Sequence, residues 1–276
     1  MDDSIRKYRV PKNEPVRLSD YRTDDTGEFA SLPDGREQAE RMSEEFQQKI
    51  ERLQERLYAE SKQALLIILQ GMDAGGKDGT IKHVMSSVNP QGCSVVSFKA
   101  PTPLERAHDF LWRIHNAVPQ RGMIGIFNRS HYEDVLVTRV HGDIDEDEAK
   151  RRFRQINDFE QGLTENGVTI LKFFLHISRE EQKKRLEARL DDPQKIWKFN
   201  PQDLAERKHW REYRRMYEDA IAHTNSPYAR WWIVPGDAKW YRNYLIAAII
   251  AHTLKKMDPQ FPPPPEGLDP ARIVIE

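Results

Sequence analysis

The chain has 276 residues, 43 basic and 44 acidic, so its net charge of −1 gives no global attraction to nucleic acid or to any other polyanion. Its apolar runs are too short to span a bilayer, and the N-terminal MDDSIRKYRV has no signal-peptide segment. The single cysteine, Cys93, leaves no internal disulfide, and a cytoplasmic protein without a membrane or nucleic-acid partner is expected.

Residues 1–35 are polar, with Pro11, Pro15 and Pro33, and read as an extended arm, packed on the domain or mobile in part. Over 35–61, Met42, Phe46, Ile50, Leu53 and Leu57 recur at three- and four-residue steps, which predicts a long amphipathic helix. Its stripe reads as core, and around 46–57 it also offers a face for the homo-oligomer expected here.

Residues 65–69 are an apolar run that suits a buried parallel strand. Gly71-Met72-Asp73-Ala74-Gly75-Gly76-Lys77 follows at once, with the G-x-x-x-x-G-K spacing of a phosphate-binding loop. Glycines let such a backbone turn tightly and approach phosphate oxygens. The amides from Gly71, Ala74, Gly75 and Gly76 through Asp78, Gly79 and Thr80 would form an anion nest at a helix N-terminus, to which Lys77 adds a mobile charge. Two positions depart from the usual pattern. Asp78 stands where a nucleotide hydrolase has Ser or Thr for magnesium, and Asp73 puts a negative charge inside the loop. A divalent cation bridging Asp73 to phosphates would relieve that repulsion, so Asp73 is read as the metal ligand replacing the missing hydroxyl. A side chain capping its own turn is the plainer alternative.

Strands and helices then alternate, the signature of a parallel sheet with crossover helices. Strands are predicted over 94–98, 123–127, 168–177 and 231–234. Helices are predicted from the capping box Thr102-Pro103-Leu104-Glu105 to about Ala117, from Asp145 to about Glu165, from the box Ser178-Arg179-Glu180-Glu181 onward, and from an Asp237 cap to about Met257. A proline run, 262–265, closes regular structure and leaves a tail over 259–276. No repeat or linker is visible, so the whole chain reads as one domain.

Ligands of open α/β sheets bind beyond the carboxyl ends of the strands. After the third strand come Asn128-Arg129-Ser130-His131-Tyr132-Glu133-Asp134. Asn128 occupies a position where many phosphate-loop proteins have a metal-associated Asp, and Arg129 is placed to neutralise a transferring phosphate or, alternatively, to pair with a buried carboxylate. His131 reads as structural, because a phosphate acceptor is already ionised and needs no base. Residues 179–215 hold twelve basic and eight acidic residues, a local excess of cations. With Lys183, Arg185 and Arg189 biased to one side of their helix, 178–215 reads as a lid that closes on phosphates and excludes water. Trp197 is read as its anchor, with stacking on a base as the other role.

Together these segments resemble the family-2 polyphosphate kinases. The family's loop form G-x-D-x-x-G-K-x-G is matched by Gly71, Asp73, Gly76, Lys77 and Gly79. Its second motif resembles Phe127-Asn128-Arg129-Ser130-His131-Tyr132-Glu133-Asp134-Val135, and its lid resembles 181–185 with Arg189, Pro193, Trp197-Lys198 and Asp203. Leu18-Ser19-Asp20-Tyr21 and 101–105 also look like family segments. The resemblance implies an α/β P-loop kinase fold, thymidylate-kinase-like, with three α/β/α layers, a five-stranded parallel sheet and a helical lid. It implies reversible transfer of a terminal phosphoryl group between inorganic polyphosphate and adenine nucleotides, with guanine nucleotides as a further class, using magnesium or manganese in its place. By the same resemblance Asp73 binds the metal, Lys77 and the loop amides cradle phosphates, and Arg129 and Arg189 stabilise the transition state. Lys82, Arg185 and Lys198 would line the polyphosphate path.

Many members have Asp where this chain has Asn128. Asn128 with Glu133 downstream looks like the subgroup that accepts AMP as well as ADP. AMP brings less negative charge and leaves a gap where the second phosphate of ADP would sit, which a neutral Asn128 and a repositioned Glu133 would suit. An ATP-dependent nucleoside-monophosphate kinase is the competing enzyme reading, disfavoured by the missing Ser or Thr after Lys77. A non-catalytic phosphate-binding regulator is the third.

Overall fold

The computed structural model describes residues 3–12, 14–266, 273 and 275. Part of the tail expected over 259–276 (267–272, 274 and 276) therefore lies outside the described residues, as do 1, 2 and 13 of the arm. Five strands form one parallel sheet: β1 Ala64–Gly71, β2 Cys93–Ser97, β3 Ile124–Asn128, β4 Val168–His176 and β5 Trp231–Pro235, in the order β2-β3-β1-β4-β5. Each predicted strand falls within two residues of these bounds. The main helices are α1 Gly35–Glu60, α2 Lys77–Val84, α3 Glu133–Val140, α4 Glu146–Glu165, α5 Arg179–Leu190, α6 Pro201–Lys208, α7 Trp210–Thr224 and α8 Lys239–Met257.

The strand pleat sorts the core into two layers. Along β1, Leu65, Ile67 and Leu69 face α1 and α8, while Leu66 and Ile68 face α3, α4 and α7. All eight β1 residues are buried because both faces are covered. Transfer of each buried aliphatic side chain from water is worth about 1.5–3 kcal/mol. The stripe of α1 packs into this core against α8, with Phe46 tilted onto Tyr244 at 5.9 Å between ring centroids. The stripe over 46–57 is thus core, as its periodicity leads one to expect.

Three local expectations change. The helix from Thr102 does not reach Ala117. Its capping box forms, but the run divides into the short helices Pro103–Arg106 and Trp112–His115. Asp109 is the cause, since its carboxylate accepts from Leu111 N at 3.0 Å and holds a turn in place of the helical ladder. At Ser178 the side chain caps Glu181 N at 3.0 Å, but the Ser178 amide donates to Asp237 rather than to Glu181. Asp237 therefore does not cap α8, whose N-cap is Ala238. Its two oxygens join Ser178 N and Thr23 Oγ1, each at 2.8 Å.

The arm is not loose extended chain. Tyr8 and Val10 bond across the outer edge of β5, through Ile233 N to Tyr8 O at 2.9 Å and Val10 N to Trp231 O at 3.0 Å, which covers an edge that would otherwise be open to pairing. Further on, Leu18 is buried, and His176 at the end of β4 donates from Nε2 to its carbonyl at 3.1 Å. Among the described residues no helix is long and apolar enough to cross a membrane.

Burial pushes the His176 imidazole down to about 4. Its folded value lies below its unfolded one, so its contribution to stability is complete above about pH 6.5 and lost as pH falls toward 4. Denaturant unfolding should show a loss of about 3 kcal/mol over this window that His176→Asn lacks. Parallel pH profiles for the two proteins would remove this role from His176.

Candidate active site

The loop after β1 must turn its amides toward a ligand, so its carbonyls need partners behind them. Every one from Gly71 to Gly76 has a donor. Lys77 Nζ donates to Gly71 O at 2.7 Å and Met72 O at 3.3 Å. Gln182 Nε2 holds Asp73 O at 2.9 Å, and Arg185 Nη1 holds Ala74 O at 3.1 Å and Gly75 O at 2.9 Å. The Gly76 carbonyl accepts from Thr80 N at 2.9 Å and Thr80 Oγ1 at 3.0 Å. Arg185 also reaches Gly236 O at the end of β5 and pairs with Glu181 at 2.7 Å. Arg185, expected along a polyphosphate path, is here a brace for the loop, and Thr80 is a helix-start tie. Gly76 has φ +99°, and a Cβ there would lie 2.2 Å from Arg242 Nη1, so two independent reasons demand glycine.

On the β3 side the two departures from the usual pattern meet. Asn128 Nδ2 donates to Asp78 Oδ1 at 2.6 Å. Arg129, in left-handed backbone at φ +62°, bonds its amide to Leu69 O at 3.0 Å and sends Nη2 to Asp73 Oδ1 at 2.7 Å. That strained backbone redirects the side chain from the strand end into the cavity. Asp73 thus meets Arg129 rather than capping its own turn. Glu133 lies behind them. The Gln70 amide, oriented by its partners, donates to Glu133 Oε1 at 2.9 Å and accepts from Ser130 N and Oγ at 3.1 Å each. Burial pushes the Glu133 carboxyl above its usual range, against the nearby charges of Arg129 and Lys77. Burial likewise lowers the Lys77 ammonium, and Arg129 lowers it further. His131 is fully buried, 3.3 Å from Glu160, which is itself paired to Lys172 at 2.6 Å, so it stands in the core as a structural histidine.

These elements surround a cavity of about 880 Å³. Its walls include Asp73, Ala74, Gly75, Gly76, Lys77, Asp78 and Gly79 from the loop, with Asn128, Arg129, Arg185, Arg189 and Lys198. Arg189 is held by Asp203 at 3.0 Å and Lys198 O at 3.2 Å. Burial and then the nearby Asp73 push the Asp203 carboxyl up. Gly71, Thr80 and Glu133 stand behind the wall, whereas Lys82 is exposed on α2 and is not brought to it. Trp197 is 75 % exposed at the rim, its Nε1 donating to Gln194 O at 2.9 Å, so it does not anchor the lid in the core.

Sequence reasoning missed Phe98, Lys99, Lys239 and Arg242 in the wall, and it placed Lys195 and Gln182 in the lid without seeing that Gln182 braces the loop. A charged residue inside the apolar run of α8 was the available signal for Arg242, which is only 2 % exposed. Among the described residues no three His, Cys, Asp or Glu side chains converge as a metal cage. Asp73, Asp78 and Asp203 line the cavity, so a cation held by one or two of them together with substrate phosphates would share them with Arg129, Asn128 and Arg189.

The Asn128–Asp78 bond predicts a compensation. Asn128→Asp sets two carboxylates against each other and should lower stability in metal-free, low-salt buffer by about 0.5–1 kcal/mol. Asp78→Asn combined with Asn128→Asp should restore it. Equal melting temperatures for all three proteins would show that the contact is energetically silent.

Comparisons with known proteins give the family. Residues 34–262 match the family model described as Polyphosphate kinase 2. A protein of Meiothermus ruber named AMP/ADP-polyphosphate phosphotransferase is 46 % identical over 272 residues, covering 99 % of this chain and all of that one. An ADP-polyphosphate phosphotransferase of Rhodopseudomonas palustris is 42 % identical, covering 95 % and 93 %. The crystal structure of Polyphosphate Kinase 2 from Arthrobacter aurescens TC1 superposes with a TM-score of 0.90 at 40 % identity, over 98 % of this chain and 95 % of that one. The chain is a kinase of the polyphosphate kinase 2 family.

Proposed function

We propose that this enzyme moves the terminal phosphoryl group of inorganic polyphosphate reversibly to AMP and to ADP, giving ADP and ATP, with magnesium. The observation that carries this reading is one cavity in which the loop amides, Lys77, Arg129 and Arg189 converge, built without the hydroxyl that follows the lysine in standard ATP sites. Relatives named for AMP and ADP as acceptors support it, and the name of the Meiothermus protein includes both.

The chemistry asked of the protein is positioning and charge neutralisation. Loop amides and Lys77 hold the donor phosphate. Arg129, fixed by its left-handed backbone, and Arg189, delivered by the lid, offset charge on the transferring group. The acceptor oxygen arrives ionised, so no base is required, in keeping with His131 being sealed in the core. A magnesium ion held by Asp73 and the phosphates, or manganese in its place, would neutralise charge between donor and acceptor. Lid closure over 178–215 keeps water from competing as acceptor.

The neutral Asn128 and the half-buried Glu133 support AMP as an acceptor. Glu133 sits behind Arg129 and adjusts it. Incubation of purified protein with magnesium, AMP and long-chain polyphosphate should yield ADP and then ATP by chromatography, while ATP as sole donor gives little product. Product from ADP alone would remove the AMP assignment, and product only with ATP would make the protein a nucleotide kinase. Asp73→Asn should lower turnover by about 100-fold or more while retaining polyphosphate binding. Glu133→Gln should slow AMP phosphorylation about tenfold more than ADP phosphorylation. Equal losses with both acceptors would assign Glu133 to the fold alone.

A further inference from the structure

Arg129 is the cation that the cavity receives from the end of β3, and its backbone stands in the left-handed region at φ +62°. A strained residue keeps such a conformation only where its surroundings over-determine it. Behind this turn lies a polar cluster made of Glu160 from α4, Lys172 from the middle of β4, and His131 and Tyr132 from the turn itself. All four are fully buried, and none of them lines the cavity.

The buried stripe of α4 runs Ala149, Phe153, Ile156, Glu160 and Leu163, so a carboxylate stands where the pattern calls for an apolar side chain. Lys172 lies between Ile68 of β1 and Trp231 of β5 in the parallel register. Its ammonium uses all three protons, on Glu160 Oε2 at 2.6 Å, on the Tyr132 hydroxyl at 2.9 Å and on Thr224 O at 2.7 Å. Glu160 Oε1 in turn accepts from the Tyr132 hydroxyl at 2.8 Å and from His131 Nε2 at 3.3 Å. Burial works against the Glu160 charge, but Lys172 beside it holds the carboxyl below its usual range. The rings of Tyr132 and Trp231 enclose the ammonium at 5.4 and 5.2 Å.

A buried ion pair loses much of its attraction to desolvation, and apolar side chains of the same volume fill such a site as well. Apolar side chains cannot, however, fix neighbouring residues by direction. Here His131 and Tyr132 are tied to one carboxylate oxygen. Ser130 is tied to Gln70, and its hydroxyl accepts from Tyr132 N at 3.2 Å. Three consecutive residues are thus pinned immediately after Arg129, whose own amide is bonded to Leu69 O. The guanidinium is left pointing to Asp73 and the cavity.

We infer that Glu160 and Lys172 are positioning residues for phosphoryl transfer: through His131 and Tyr132 they fix the turn that aims the Arg129 guanidinium at the transferring phosphate. This rests on the role proposed above for Arg129 in that transfer. The effect passes along the backbone of the pinned turn, and a misplacement of about 1 Å is enough to slow a reaction about 100-fold.

Tyr132→Phe removes one hydroxyl from the cluster and keeps the ring, while Glu160→Gln removes the charge and keeps the volume. Each is made alone and together with Arg129→Ala. Values of kcat, and of KM for polyphosphate and for AMP, are measured beside thermal unfolding, at a temperature where every variant is folded. Each single variant should lower kcat about tenfold or more and change either KM less than about twofold. In the Arg129→Ala background no guanidinium remains to be aimed, so the same changes should lower the residual kcat less than about twofold. Full kcat in folded Tyr132→Phe and Glu160→Gln, or losses of the same size with and without the Arg129 side chain, would overturn the inference and leave the cluster as core packing alone. Should Glu160→Gln fail to fold, Tyr132→Phe, which keeps the Lys172–Glu160 pair, decides the matter. Absence of polyphosphate-dependent turnover in the unmodified protein would instead overturn the underlying function.

Discussion

A backbone turn that offers its amides to phosphate must hide its carbonyls, and the rest of this site is organised around that requirement. Six successive carbonyls, from Gly71 to Gly76, are met by Lys77, Gln182, Arg185 and Thr80. Two of those partners come from α5, so the loop after β1 holds its shape only when β4 and β5 lie beside it. Parallel pairing of β1 with β4 over eight residues brings the base of α5 to the right height. The sheet order is thus part of the phosphate site, as the general rule for ligands at diverging strand connections leads one to expect.

The same economy appears in the charges. Asp78 replaces a hydroxyl and Asn128 replaces a carboxylate, and the two side chains bond to each other. Either change alone would leave a mismatch: two facing carboxylates in one case, two weak dipoles in the other. Arg129 and Asp73 form the parallel pair one step nearer the cavity centre. The β3 side is therefore close to neutral while the β4–β5 side is strongly basic. A chain with net charge −1 achieves this by placement and not by composition.

Much of the fold was legible because burial on both faces writes continuous apolar strands, and both the loop spacing and the capping boxes have local physical causes. Residues 65–69 and 231–234 needed no tertiary information, whereas 94–98 belongs to the partly exposed edge strand β2. What escaped were choices between partners distant in sequence. Asp237 looks like a cap for α8, yet its carboxylate serves Ser178 and Thr23 instead. Arg185 looks like one more lid cation, and only the loop's carbonyls, 110 and 111 residues away, reveal it as a brace. Trp197 looks like an anchor, but nothing in its neighbours shows that it stays at the rim. Arg242 is visible only once Gly76 is seen above it.

The arm's hold on β5 has a consequence for how the chain is made. Tyr8 bonds the amide of Ile233 and, through its hydroxyl, Tyr241, 233 residues further on. During synthesis the first residues emerge long before their partners exist, so the arm waits unpaired until nearly the whole domain has left the ribosome. The contact that seals the sheet edge is among the most non-local in the molecule, and loop-closure entropy makes such contacts late ones. A ribosome-bound chain would expose β5 only briefly before its own N-terminus reaches it, which limits the window for pairing with a neighbouring nascent chain.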